Sequence, residues 1–162
     1  LCMLTLVKKF TSFLGDRILI KKVKDGEEKN AAGMKLTFFD IHSTKTKQFG
    51  FRAGFEDGTR LTCLGDEPYK ETARPYAEGC DWLLSEAFCL DRDKEIFHPY
   101  EKHHSTALDA GRLAQQLHVK NMVLYHTEDT CLSERKESYT KEAARCFDGN
   151  IFVPLDLERI RL

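Results

Sequence analysis

No stretch of these 162 residues approaches the roughly 20 consecutive apolar residues that a membrane-spanning helix needs. The apolar opening, LCMLTLV, is too short to span, and no small-residue cleavage site follows it. No membrane partner is expected. The formal net charge is −1, so the chain as a whole exerts no pull on nucleic acid. None of the six cysteines, at 2, 63, 80, 89, 131 and 146, forms a CxxC pair, and several sit inside apolar runs. They read as reduced, buried or half-buried thiols of a cytoplasmic protein. Internal repeats and low-complexity tracts are absent as well. What remains is 41% hydrophobic and 31% charged, a balance that suits one globular domain over residues 1–162. The chain starts on Leu1 rather than Met, which points to a cut product or an excised piece.

Two halves differ in pattern. Leu4, Val7, Phe10 and Leu14 fall on one helical face, and Gly15-Asp16 ends that segment. RILIKKV reads as a strand, DGEEKNAAG as a polar loop and MKLTFFDIHS as a second strand. In QFGFRAGF, Phe49, Phe51 and Ala53 share one side. Asp57-Gly58 then supplies a hairpin turn into TRLTCLG. This half is a meander of antiparallel strands. Beyond Asp66, strands alternate with helices: a short helix over 69–79 interrupted by Pro75, the strand CDWLLSEAF, and a helix opened by a Thr106/Asp109 capping box. That helix carries Ala107, Ala110, Leu113, Ala114 and Leu117 in one stripe. The strand NMVLYH, a helix over 133–146 and the strand material of IFVPLDLERI follow. Such alternation implies an α/β chain with parallel or mixed pairing and helices on one sheet face.

Three potential metal ligands follow apolar strands: His42, Asp66 and His126. Strand ends at one sheet edge converge, so residues far apart in sequence can meet there. Gly65 lets the backbone turn tightly and aim Asp66 across the edge. A carboxylate between two divalent ions can bridge them and lower the pKa of a shared water. His98, His103 and His118 read as structural or solvated, and Lys8, Lys9, Lys21, Lys22, Lys24, Lys45 and Lys47, which make the first third basic, read as solvated.

The segments LGDEPY, LLSEAF, KHHSTALDA and MVLYHTE, in that order, resemble the C-terminal half of ribonuclease Z-like members of the metallo-β-lactamase superfamily. The resemblance covers roughly residues 34 to 130. It implies the C-terminal half of an αββα sandwich. It also implies a zinc-dependent hydrolase of phosphodiesters, RNA 3′ ends above all, with two zinc ions in the complete site. On this resemblance His42 and His126 are metal-ligating histidines and Asp66 is the bridging aspartate. His104 assists proton transfer at the scissile phosphate, and Glu86 orients His104. Ser85 replaces a histidine usual in the family, and Glu67 stands where a threonine is usual.

The HxHxDH motif that supplies most of the family's ligands is absent from these residues. His103-His104 cannot stand in for it, because adjacent strand residues face opposite ways. The chain alone is therefore expected to hold zinc poorly and to be inactive. Two alternatives stand beside the phosphodiesterase reading. One is a non-catalytic half-domain that self-associates or pairs with the missing N-terminal half. The other is a superfamily hydrolase of a different small ester.

Overall fold

The computed structural model describes residues 21–130 and 132–162. The helix expected over 1–14 lies outside the described residues, as does most of RILIKKV; its described part, residues 21–23, is not strand.

The described strands form one seven-stranded sheet in sequential order. They are β1 Glu28–Ala31, β2 Met34–Asp40, β3 Phe49–Gly54, β4 Arg60–Cys63, β5 Trp82–Glu86, β6 Asn121–Tyr125 and β7 Asn150–Phe152. The first four pair antiparallel and the last four pair parallel. The meander followed by alternation is thus the observed topology. Local chemistry explains its turns. Gly58 adopts φ 87°, and Asp57 Oδ1 accepts from the Thr59 amide at 2.9 Å, which closes the β3–β4 hairpin.

One expectation needs correcting. The segment read as a polar loop contains β1, paired through Glu28↔Thr37 to Ala31↔Met34. Ala32 and Gly33 both have positive φ, the geometry of a two-residue hairpin turn. β1 is an edge strand in solvent, so its polar residues cost nothing there and gave no hydrophobic signal.

Four helices are described: α1 Arg74–Ala77, α2 Lys94–Phe97, α3 Ala107–Gln116 and α4 Arg135–Ala143. α3 opens on the expected capping box. Thr106 Oγ1 accepts from the Asp109 amide at 3.2 Å, and Asp109 Oδ2 accepts from the Thr106 amide at 3.1 Å. The strand period of two divides the apolar residues between two faces. Phe39, Leu83, Met122 and Leu124 pack with Ala107, Ala110, Ala114, Leu117, Tyr139 and Ala143 of α3 and its neighbours. Ala53, Leu61, Trp82 and Val123 form a second cluster with Leu36, Phe51, Leu84 and Phe152. The buried residues Ala77, Ala107, Ala110, Ala114, Tyr139 and Ala143 of α1, α3 and α4 belong to the first cluster and none to the second, so these three helices lie on one sheet face. α3 and α4 approach closely because Gly111 has no side chain; a Cβ there would stand 2.5 Å from the Ala143 carbonyl oxygen.

Candidate active site

β2, β4, β5 and β6 all run the same way, so their C-terminal ends share one sheet edge. The chain leaves that edge sharply. Gly65 has φ 86°, His126 φ 56° and His42 φ 52°. Positive φ is uncommon for residues with a side chain, although histidine tolerates it better than most, and His98, His103 and His118 adopt it too. At Gly65 glycine is favoured for a second reason, since a Cβ would meet Ile41 Cδ1 at 2.9 Å and force that side chain to shift. The Tyr125 hydroxyl donates to the Gly65 carbonyl and so ties the ends of β4 and β6 together. Burial pushes that phenol's pKa up, with Cys63 adding to the effect, so the hydroxyl keeps its proton and remains a donor.

Four predicted residues meet at this edge. His126 Nε2 lies 3.1 Å from Asp66 Oδ1. His104 Nδ1 lies 3.4 Å from Glu86 Oε2 and 3.9 Å from Asp66 Oδ1. The two imidazoles are 4.8 Å apart between centroids. Asp66, His104 and His126 offer one ligand atom each within 4.8 Å of one another. His104 comes from the loop after α2 rather than from a strand. Four contacts dock that loop on the end of β5 and the residues after it: Phe88 N donates to Ser105 O at 2.9 Å, Ser105 donates to Glu86 Oε1 from both N and Oγ at 2.7 and 2.6 Å, and Phe88 stacks on the His104 ring at 5.0 Å.

His42 is not brought to the cluster. Its imidazole is more than half exposed and sits 4.0 Å from Asp40 Oδ2.

Two residues were missed from the sequence. Glu67 is 3% exposed and holds the loop after β2: it accepts from Ser43 Oγ and, at 3.1 Å, from the Thr44 amide. Burial would raise its pKa, but the hydrogen bonds from Ser43, Thr44 and Lys45 and the nearby Lys70 outweigh that and hold the carboxyl below its usual range. The second is Lys45, read as solvated. The docked loop places its Nζ 3.2 Å from His104 Nε2. The basic run STKTK directly after Asp40-Ile41-His42 was the available signal.

The electrostatics follow from burial. Glu86 is 1% exposed; burial pushes its pKa up to about 7, against the hydrogen bonds from Ser105. Burial likewise lowers the His104 pKa, helped by Lys45 and His126. An ammonium has no acceptor, so Lys45 facing Nε2 requires a lone pair there, and the proton of neutral His104 sits on Nδ1, facing the carboxylates.

Asp66 Oδ1, Glu86 Oε2 and His104 Nδ1 are buried without a well-formed hydrogen bond. The 3.1 Å His126–Asp66 pair is a close contact that lacks hydrogen-bond geometry. Orphaned buried polar atoms are costly, and a cation would satisfy the two carboxylate oxygens among them. Imidazole and carboxylate donors suit zinc. Two donors sharing a tetrahedral ion at about 2.0–2.2 Å stand roughly 3.3 Å apart, close to the Asp66–His126 separation. His104 Nε2 is covered by the Lys45 ammonium and its Nδ1 faces Glu86 and Asp66, so Asp66 and His126 are the members of this cluster left to hold an ion.

No family model matches the chain. Ribonuclease Z of Thermobifida fusca is 36% identical over 90 residues, 56% of this chain and 28% of that protein. Ribonuclease Z of Streptomyces avermitilis is 34% identical over 107 residues, 64% of this chain and 33% of that protein. Ribonuclease Z of Streptococcus gordonii is 27% identical over 145 residues, 89% of this chain and 43% of that protein. The chain thus spans less than half the length of these relatives. Among solved structures, the metallo-β-lactamase fold protein YhfI of Bacillus subtilis superposes with a TM-score of 0.68 at 21% identity, over 90% of this chain and 58% of that one. Human tRNase Z, short form, gives 0.58 at 18% identity, over 80% of this chain and 43% of that one. The chain therefore has the metallo-β-lactamase fold. Over the matched residues it is similar in sequence to ribonuclease Z.

Proposed function

We propose that this chain supplies the aspartate, glutamate and histidine side of a metal-dependent hydrolase site that cleaves phosphodiesters, with RNA as the substrate class. The carrying observation is the meeting of Asp66, His104 and His126 at one sheet edge, with Glu86 buried beneath His104. The ribonuclease Z relatives favour phosphodiesters over other small esters.

Asp66 and His126 would hold zinc, which supplies Lewis-acid polarisation of a phosphoryl oxygen. The chain's own residues do the rest. Ser105 anchors Glu86 Oε1, which leaves Oε2 facing His104 Nδ1 at 3.4 Å, where it would orient the ring. A ring held this way presents Nε2 to the substrate. Protonated there, it gives its proton to the leaving oxygen and regains one from water. Phe88, stacked on the ring, keeps it from rotating away. With free thiols at Cys63, Cys80, Cys89 and Cys146, the compartment we assign is the cytoplasm. No described helix is long and apolar enough to cross a membrane.

Association is a second part of this reading. Leu36, Phe51, Leu84 and Phe152 leave the second sheet face partly exposed around its buried cluster, and such a face favours a partner sheet, the missing N-terminal half or a second copy. The test is hydrolysis of bis(p-nitrophenyl) phosphate by the full-length protein. Asp66→Ala should remove most turnover, because it removes the carboxylate that positions the reacting groups. Unchanged turnover with metal still bound would take Asp66 out of the mechanism.

A further inference from the structure

We propose that Lys45 is the substrate-anion clamp of this site: its ammonium binds a non-bridging phosphoryl oxygen of the phosphodiester and is parked on His104 Nε2 when no substrate is present. This rests on the phosphodiesterase reading above and names a group that reading does not use.

The loop that carries Lys45 is built, not free. Glu67 accepts from the Ser43 hydroxyl and the Thr44 amide, and Ser43 Oγ in turn accepts from the Lys45 and Thr46 amides at 3.2 and 3.3 Å. Lys70 donates to the His42 carbonyl and stands 3.7 Å from Glu67 Oε2. These contacts fix the loop to the residue that follows Asp66. The neighbouring Lys47 is neutralised, at 2.9 Å from Asp40 Oδ2. Lys45 forms no ion pair among the described residues, and its one described side-chain partner is the buried imidazole. A neutral nitrogen is a poorer partner for an ammonium than a charged phosphoryl oxygen, because only the oxygen adds the attraction between opposite charges. The clamp therefore transfers to the anion when it arrives. Its departure frees Nε2, the nitrogen that must face the leaving oxygen. One lysine thus binds substrate and uncovers the nitrogen that takes up a proton from water and then passes it to the leaving oxygen.

The experiment compares wild type, Lys45→Gln and Lys45→Arg in the full-length, metal-loaded protein, with inorganic phosphate as the probe. Thermal melts of all three confirm folding. Lys45→Gln should bind phosphate about 10- to 100-fold more weakly, the range for one lost charge-assisted contact, and should raise KM for bis(p-nitrophenyl) phosphate more than it lowers kcat. Lys45→Arg should recover most of the binding. In metal-depleted protein, the ¹⁵N signal of His104 Nε2 should move on Lys45→Gln, because it loses its donor. Equal phosphate affinity in wild type and Lys45→Gln would overturn the proposal even if hydrolysis proceeds. Weaker phosphate binding by Lys45→Gln without any phosphodiester hydrolysis by wild type would instead uphold the clamp and remove the phosphodiesterase reading.

Discussion

Replacing Glu86 by glutamine should change how stability depends on pH, and the structure sets both sign and size. The substituted amide keeps an acceptor for Ser105 but does not titrate. In wild type, burial first of all pushes the carboxyl from 4.5 up to about 7. A raised carboxyl binds its proton more tightly folded than unfolded. Its stabilising contribution is complete below pH 4.5 and is lost as pH rises towards 7. At about 1.4 kcal/mol per pH decade, the loss across that window is ~3 kcal/mol. The lowered pKa of buried His104 acts in the opposite sense, removing stability as pH falls below its unfolded value, but burial imposes that in both proteins and the comparison cancels it. Urea unfolding of both proteins in excess chelator, at half-unit steps from pH 4.5 to 8, measures the difference. Wild type should lose up to ~3 kcal/mol relative to Glu86→Gln between the lower and upper ends. A stability difference that stays constant with pH would refute the argument.

Two further outcomes follow from packing and from ligand number. Gly111→Val should destabilise the fold by roughly 1–3 kcal/mol or more, seen as a lowered urea midpoint, because its side chain would enter the Ala143 backbone where α3 crosses α4; an unchanged midpoint would mean the helices do not touch there. The 162-residue chain should hold zinc weakly or not at all, since Asp66 and His126 fall short of the three or more protein ligands of an ordinary zinc site; stoichiometric zinc surviving dialysis against a mild chelator would contradict this.

The parts of the fold that were legible are those written in local chemistry. The Thr106/Asp109 box, the Asp57-Gly58 turn and the small-residue stripe of α3 each rest on neighbours within a few positions. β1 was not legible, because an edge strand in water has no need of an apolar pattern. The site divides in the same way. Gly65-Asp66 and Tyr125-His126 announce themselves as strand ends, and those ends do converge. The docking of Ser43 and Thr44 on Glu67 spans more than twenty residues of sequence, and nothing local encodes it. That docking decides where Lys45 goes. For His42 the strand-end position is real, yet its side chain turns to Asp40 and solvent, an orientation that no spacing argument could supply.

The central claim is that Asp66 and His126 face the metal while His104, held by Glu86, handles the proton. Turnover of His104→Ala in the full-length protein, measured with zinc content on a nitrophenyl phosphodiester and on an RNA or alkyl phosphodiester, tests it most directly. Zinc content should be unchanged. The rate on the poor leaving group should fall by about 10²–10⁴-fold, and the nitrophenyl substrate, which needs little protonation, should lose far less. An equal loss on both substrates, or loss of zinc from the variant, would contradict the account.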